Sequence, residues 1–524
     1  MGNNQSLLEK KGYNIQNEIE NGVIATDKDG DAFVIKEIKL ETADAQNILS
    51  KMRSLMEISH PHIASYRNSF QDGNSYYVVM DLCEGGDLSQ KIRERRKTGT
   101  PFSEEQIMDW LVEICMALKC VHDKNLLHRD LRPQNIFLTK FGTLCLGDFG
   151  RVTENGRRPS DNGELAYLGP EILKGGTYNN KSDIWSLGCV LYEMCMLQSA
   201  FHAESTVNLI PKILGSSYPS LPARFPPELR DLLRDIFQQD TSRRPSVDEI
   251  LAKPFIICFL REKNWKTMKV LQTNVDKLKA LADGLERVHQ GTTIGSLTGG
   301  VIGAAGGITS IVGLILAPFT LGASLIVTGV GVGVAVAGGA TAGVSNITNM
   351  VNQSTDRKAI KNIIKEFQEK MTCVVTSIQD MARGLEALRT SVHFDAESYQ
   401  STNENASRAS ARVVRGLGGI PELVRLVQVT NIGRVAAQAA RAVRVAEVLT
   451  GIFSAFFVAV DVFFIAVDAK EIHNIRQVKA NKQSGDTSEA EVKSETMKFI
   501  QTIRQTADQL QDSLDELNSV ISDL

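Results

Sequence analysis

The chain has 524 residues, enough for two or more domains and for at least one sizeable hydrophobic core. Its formal net charge of -3 at pH 7 excludes a global electrostatic attraction to nucleic acid, so we expect no nucleic acid partner. The eight cysteines contain no C-x-x-C pair, and we interpret them as reduced thiols of a cytoplasmic protein rather than a disulfide framework or a zinc site.

The first six residues contain no apolar stretch of the kind that a cleaved secretion signal requires. They match M-G-x-x-x-[ST], the pattern for N-myristoylation at Gly2. An unmodified, disordered start is the alternative interpretation. The apolar segments later in the chain favour myristoylation, because one acyl chain and a second membrane signal together give stable attachment.

Residues 13–37 predict two strands joined by a turn at Asp29 and Gly30, and the second strand ends at Lys36. The hairpin is poor in glycine, since residues 17–25 contain only Gly22 together with two acidic residues. A short apolar strand that ends in lysine would usually be an ordinary surface element. The motifs that follow it favour a functional interpretation.

Two motifs lie close together in the chain. Residues 128–135, His-Arg-Asp-Leu-Arg-Pro-Gln-Asn, have the spacing H-R-D-x-x-x-x-N, and Asp148-Phe149-Gly150 follows a predicted hairpin of residues 136–138 and 143–146. With the segment 79–88, Val-Met-Asp-Leu-Cys-Glu-Gly-Gly-Asp-Leu, they resemble the NimA-related serine/threonine protein kinases. The resemblance implies a bilobal α+β kinase fold over residues 13–262 that uses ATP and Mg²⁺ to phosphorylate a protein substrate.

The resemblance also implies roles for individual residues. It assigns ATP binding to Lys36, Gly22, Met80 and Cys83, metal binding to Asn135 and Asp148, the catalytic base to Asp130, a catalytic cation to Arg132, and structural support to Asp183, Glu171 and Arg244. Within the activation segment, 151–169, Ser160 is a candidate phosphosite that could dock on Arg129, and an unmodified loop is the alternative.

Three departures from the family pattern weaken the predicted catalysis. The phosphate loop around Gly22 lacks its other glycines, Lys51 stands where a glutamate would pair with Lys36, and Glu164 replaces the threonine that links base and substrate. None of them affects the metal ligands or the base. Two alternatives therefore stay open: a kinase of reduced activity, or a pseudokinase that senses nucleotide and regulates a lipid-binding or pore-forming domain.

The second half begins with a long uncharged region. Residues 288–355 contain no Asp, Glu, Lys or Arg, and two apolar runs, 293–316 and 321–345, are each long enough to cross a bilayer as a helix. G-x-x-x-G spacings in both runs would let two helices approach closely in lipid. This predicts a transmembrane helical hairpin over 293–345, and a Gly/Ala-rich hairpin buried in a helical bundle is the alternative.

Amphipathic helices are predicted around the hairpin. One apolar seam runs through residues 271–285 and a second through 360–388. Residues 449–467 form a third apolar run, but Asp461 lies inside it and disfavours insertion at neutral pH. Residues 500–524 carry an a/d pattern that predicts a coiled coil within 489–524, either between chains as a homo-oligomer or packed on the preceding helices.

Residues 265–480 resemble the apolipoprotein L family in the order of their segments and in the text Phe-Val-Ala-Val-Asp-Val-Phe-Phe-Ile-Ala-Val-Asp at 457–468. The resemblance implies an all-helical domain that binds lipid and inserts into membranes, through 293–345 and 449–467. We therefore expect a multidomain protein, with a kinase-like domain followed by an all-α membrane domain. Its expected location is the cytoplasmic side of a membrane.

Overall fold

The computed structural model describes residues 7–19, 22–28, 30–40, 45–149, 162–295, 362, 364–386, 432–480 and 486–523. The chain forms two compact units, one of residues 1–261 and 380–431 and the other of residues 262–379 and 432–524. Gly2, Ser160 and nearly all of the predicted hairpin 293–345 lie outside the described residues.

The first unit begins with a five-stranded antiparallel sheet in the order β1-β2-β3-β5-β4. The strands are β1 Asn14–Ile19, β2 Gly22–Thr26, β3 Ala32–Lys39, β4 Tyr66–Asp72 and β5 Ser75–Asp81. Ile35, Tyr77 and Val79 supply the branched and aromatic side chains of its core. Lys36 lies in a strand as predicted, but this strand continues to Lys39, and the single strand expected before the turn is two strands, β1 and β2. The prediction passed over Asn21-Gly22, a dipeptide that favours a hairpin turn. Gly30 has the positive φ that its turn requires.

Helices form the larger part of this unit. They are α1 Ala45–Met56, α2 Leu88–Thr98, α3 Glu104–Asp123, α4 Asn162–Leu165, α5 Pro170–Leu173, α6 Asn180–Met196, α7 Thr206–Leu214, α8 Pro227–Ile236, α9 Val247–Leu251 and, up to residue 261, the start of α10 Pro254–Gly295. α3 and α6 are the most buried of them. The Ser103 hydroxyl accepts a hydrogen bond from the Gln106 amide at the start of α3, and Asn179 and Ser182 form a capping box at the start of α6.

A short hairpin of β6 Ile136–Leu138 and β7 Leu144–Leu146 connects the two predicted motifs, as expected from the sequence. Backbone hydrogen bonds hold it to the segment that follows α1. The Leu146 amide donates to the His62 carbonyl at 2.9 Å, and the Ala64 amide donates to the Leu146 carbonyl at 2.8 Å. These bonds fix the residues that leave β7, including Asp148, next to the five-stranded sheet.

The second unit is helical in its described residues. It contains the larger part of α10, residues 364–379 of helix α11 (364–386), α12 Ile432–Ala480 and α13 Asp486–Asp523. α13 packs along α12 and against α10, where the side-chain amides of Gln272 and Gln511 pair at 2.6 and 2.9 Å. Arg504 of α13 donates to Asp283 of α10 at 2.8 Å.

Three predicted apolar seams are buried within this chain. The buried members are Leu271, Val275, Leu278 and Ala282 on α10, Phe367, Met371, Val374, Ile378, Met381 and Leu385 on α11, and Ile500, Ile503, Ala507, Leu510, Leu514, Leu517 and Ile521 on α13. The α13 seam packs on the preceding helices, which is one of the two arrangements that its a/d pattern allowed.

α12 contains one candidate membrane-spanning segment, Ala436–Phe463, by length and composition. It includes most of the predicted apolar run 449–467. Only 28% of its most apolar window is buried, whereas a core helix of a soluble protein would be mostly buried. Val448, Val458 and Val462 are exposed on its surface.

Candidate active site

The His-Arg-Asp segment is held from behind by Asp183, a buried residue of α6. The Asp183 carboxylate accepts hydrogen bonds from the backbone amides of His128 and Arg129, both at 3.0 Å. It also contacts His122 Nε2 at 2.8 Å and accepts from the Tyr178 hydroxyl at 2.7 Å. Burial would raise the pKa of Asp183, but these hydrogen bonds and the nearby histidines outweigh it, so the pKa is lowered and the carboxylate is ionised.

Asp130 and Asn135 come together within this loop. Asn135 Nδ2 donates to the Asp130 carboxylate at 2.9 Å and to the Asp130 carbonyl at 2.8 Å. The Asp130 side chain is 12% exposed, and Asn135 is buried. The amide therefore orients the carboxylate.

Lys36 of β3 and Asp148 form an ion pair of 2.9 Å. Asp148 has a φ of +55°, a left-handed conformation that is unusual for a residue with a side chain. Phe149 is fully buried, and its ring centroid lies 4.7 Å from that of His128. The packing of Phe149 anchors the segment that carries Asp148.

Helix α1 offers Lys36 no acidic partner, because none of its twelve residues is Asp or Glu. Lys51 lies in the middle of this helix, where the predicted pattern would have a glutamate. Within the described residues, Lys36 pairs with Asp148 rather than with a glutamate of α1.

Gly22 begins β2, opposite Ile19. A Cβ atom on Gly22 would lie 2.3 Å from the carbonyl oxygen of Ile35, so no larger residue fits between these strands. Met80 is buried at the end of β5, and Cys83 is half-buried just after it. Met80 and Cys83 lie at the connection between β5 and α2, and Gly22 lies in the β1–β2 hairpin. The sequence predicts that the nucleotide contacts all three.

Arg132 and Glu164 are brought together from the loop and from α4. Arg132 Nε lies 3.2 Å from Asp130 Oδ1, and Arg132 NH1 lies 3.6 Å from Glu164 Oε1. The Nε contact is an ion pair by distance without the angle of a hydrogen bond. The sequence identified Arg132 and Glu164 as two separate departures from the family pattern and did not predict their contact. Their opposite charges were the one feature of the sequence that was compatible with pairing.

Glu171 and Arg244 form a buried, two-bonded ion pair, with distances of 2.7 and 2.9 Å. Ser182 donates a third hydrogen bond to Glu171 at 2.7 Å, and the Arg244 guanidinium lies 4.8 Å from the Trp185 ring centroid. Burial would raise the pKa of Glu171, but hydrogen bonds from Arg244 and Ser182 outweigh it and lower the pKa. The predicted partners are therefore in contact.

Two supporting residues were missed by sequence reasoning. His122 and Tyr178 complete the contacts around Asp183, yet neither belongs to a recognisable motif. Within the described residues, no group of three His, Cys, Asp or Glu could hold a metal by protein ligands alone. Asp148 and Asn135 nevertheless supply the oxygen donors that Mg²⁺ prefers when phosphates complete its coordination.

Comparison with known families agrees with both halves of the chain. The protein kinase domain family matches residues 22–256, and the apolipoprotein L family matches residues 226–519. The chain is 45% identical to serine/threonine-protein kinase Nek1 of Mus musculus over 245 residues, which are 45% of this chain and 20% of that protein.

Two further relatives match the same region. The chain is 41% identical to serine/threonine-protein kinase Nek5 of Homo sapiens over 231 residues, 43% of this chain and 32% of that protein. It is 36% identical to serine/threonine-protein kinase Nek4 of Mus musculus over 285 residues, 51% of this chain and 35% of that protein. The chain therefore spans between a fifth and about a third of the length of these relatives.

Proposed function

Because the chain belongs to the apolipoprotein L family and carries a serine/threonine protein kinase domain similar to the Nek kinases, we propose that it transfers phosphoryl groups from Mg-ATP to a protein substrate. One observation carries the proposal. Lys36, Asp148, Asn135 and Asp130, which come from three separate segments, form two contacts of 2.9 Å within one unit.

Mg-ATP supplies the transferable phosphoryl group and the cation that neutralises its charge. The Asp148 carboxylate and the Asn135 amide oxygen would hold the metal, and the Lys36 ammonium would contact the phosphates. Asp130, oriented by Asn135, accepts the proton of the substrate hydroxyl. Arg132 adds positive charge beside the base, where negative charge develops during transfer.

The test is phosphoryl transfer from labelled Mg-ATP by the full chain, to itself and to a generic basic protein. Asp130→Asn and Asp148→Ala should each lower incorporation by about 10² or more, since they remove the base and a metal ligand. Incorporation that survives in both variants would exclude this site as its source.

The alternative function is a pseudokinase that binds nucleotide without turnover and regulates the helical domain. The absence of an acidic residue in α1 and the Lys36–Asp148 pair favour it, because Lys36 lacks the usual partner that aligns it with the phosphates. ATP affinity that depends on Lys36, combined with no incorporation by wild-type protein, would support this alternative.

We further propose that the helical domain attaches the protein to membrane lipid. The exposed apolar surface of α12, where Val458 is 63% exposed, supports this, and the apolipoprotein L match agrees with it. Flotation with phosphatidylcholine/phosphatidylserine liposomes is the test. Val458→Asp should reduce binding, and Val207→Asp is the matched control because Val207 is 79% exposed on the first unit. Equal binding by both variants would exclude this surface.

Myristoylation at Gly2, insertion of the hairpin 293–345 and phosphorylation at Ser160 remain proposals. Gly2→Ala would show whether the acyl chain contributes to flotation, since it removes the glycine that N-myristoylation requires and lies outside the described helices and strands. Mass spectrometry of the protein from a eukaryotic host would identify a myristoyl group and a phosphate directly.

A further inference from the structure

Two departures from the kinase pattern lie next to each other in the folded protein. Arg132 stands where the related kinases have lysine, and Glu164 stands where they have threonine. Arg132 NH1 is 3.6 Å from Glu164 Oε1, while its Nε is 3.2 Å from Asp130 Oδ1. One guanidinium therefore lies between the carboxylate of the base and a second carboxylate.

The burial of these groups makes the pairing energetically important. The Glu164 side chain is 9% exposed, that of Asp130 is 12% exposed and that of Arg132 is 23% exposed. A buried carboxylate is strongly unfavourable without nearby positive charge, and Arg132 supplies such charge to Glu164. Arginine also suits this place better than lysine, since its planar guanidinium spreads positive charge over separate nitrogens that lie near two carboxylates, whereas lysine offers a point charge.

The base is held from two sides. Asn135 donates to Asp130 Oδ2, and Arg132 lies beside Oδ1. A guanidinium with no second carboxylate would interact with Asp130 alone, and its position beside the base would be less well defined. Glu164 shares the charge of Arg132 and fixes where the guanidinium lies.

We propose that Glu164 is a positioning residue for phosphoryl transfer, which acts on the base Asp130 through Arg132. This inference rests on the proposed kinase function. It means that the two departures compensate for each other, so that Arg132 and Glu164 function as a pair. Arginine at 132 together with threonine at 164, or lysine at 132 together with glutamate at 164, should function less well than either matched pair.

A double-mutant cycle on the full chain tests the pairing. Arg132→Lys and Glu164→Thr should each lower kcat about tenfold, because the first removes the planar group that reaches both carboxylates and the second leaves the guanidinium to Asp130 alone. The double variant should recover to within about threefold of wild type, since it restores the lysine and threonine of the related kinases. KM for ATP should change little, because neither residue is among those assigned to ATP binding. Effects that simply multiply would overturn the proposal.

The comparison of kcat with thermal stability separates positioning from structural support. Glu164→Gln should lower kcat about tenfold, because it removes the charge that holds Arg132. Glu113→Gln is the matched control, because Glu113 is buried to a similar degree and accepts from the Leu144 amide, away from Asp130. It should lower the thermal stability and leave kcat nearly unchanged. A loss of kcat that is equal in both variants, or absent in both, would overturn the proposal.

Glu164→Asp keeps the charge and serves if the other variants at this position do not fold. It should retain more kcat than Glu164→Thr, and an equal loss of kcat in the two variants would count against the proposal. If wild-type protein incorporates no phosphate, the proposed function fails, and a positioning role in catalysis fails with it. Incorporation by wild type together with multiplicative effects would overturn this inference alone.

Discussion

At the scale of single residues, the site depends on carboxylates whose partners are already in place. Asp183 receives two backbone amides, a histidine and a tyrosine, and Glu171 receives both arms of Arg244. Because each carboxylate is ionised and hydrogen-bonded, it fixes a loop without the cost of an unpaired buried charge. Removing one partner of such a carboxylate should therefore lower the free energy of unfolding by much more than an exposed ion pair contributes to it.

Glu171→Gln should lower the free energy of unfolding of the first unit by about 3–5 kcal/mol, because the fully buried Arg244 would lose its counter-charge. Urea unfolding followed by tryptophan fluorescence measures this, since Trp185 contacts the guanidinium. Glu94→Gln is the control, because the Lys91–Glu94 pair is exposed and should contribute about 0–1 kcal/mol. Equal effects of the two substitutions would contradict the prediction.

At the scale of elements, two helices carry unexpected residues: α1 has no acidic partner for Lys36, and α11 has a buried aspartate. α1 gives Lys36 no acidic partner, and the last turn of α11 belongs to the first unit. That turn carries Asp380, which is 6% exposed, although its sequence predicts only an amphipathic helix of the second half. Each element leads to a measurable consequence.

Lys51→Glu should raise kcat about tenfold, which corresponds to roughly 1.4 kcal/mol of transition-state stabilisation. The new carboxylate would pair with Lys36 and release Asp148 for the metal. Labelled ATP turnover by the full chain is the measurement, and Lys51→Gln separates the gain of an acid from the loss of a cation. Equal rates for the two variants would show that the acidic partner is not what limits transfer.

Asp380 should make the first unit less stable at neutral than at acidic pH. Burial raises the pKa of Asp380 to about 6, although Arg383 and Lys119 act in the opposite direction, while Asp123 and Asp248 reinforce the rise. The folded state therefore binds this proton more tightly than the unfolded chain, so the penalty on stability is complete above pH 6 and disappears as pH falls from 6 towards 3.8.

Asp380→Asn should accordingly stabilise the first unit by roughly 2–3 kcal/mol at pH 7.5 and by about half as much at pH 5. Thermal and urea unfolding at both pH values measure the difference. Asp508→Asn serves as the control because its carboxylate is 73% exposed. A stabilisation by Asp380→Asn that is the same at both pH values would contradict the assigned cause.

At the scale of the whole molecule, motifs in the sequence predicted the kinase fold and the apolar seams, because both depend on residue type and spacing. The sequence did not predict the contact between Arg132 and Glu164, since 31 residues separate them in the chain and spacing carries no information on such a contact. Nor did it predict that α10 runs without interruption from Pro254 to Gly295, through the boundary expected at 262–265. A change of composition marked that boundary, but helix continuity depends on local propensity.

Leu514→Asp should unfold part of the second unit rather than dissociate an oligomer. Leu514 is fully buried in the α13 seam among other apolar side chains. A carboxylate at this position would be buried without a compensating charge from the seam, which is strongly unfavourable. Circular dichroism should show lost helix at lower temperature, while light scattering should show an unchanged mass. A fall from dimer mass to monomer mass with full helicity would favour the coiled coil between chains.

The packing of α13 on α10 also sets an order of events during synthesis. α10 ends at Gly295 and α13 begins at Asp486, so a ribosome needs roughly 10–40 s to travel between them. For that time the apolar face of α10 has left the ribosome without the helix that will cover it. Nascent chains of this protein should therefore require a holding chaperone at this stage, and codon choice between the two helices would change how long they depend on it.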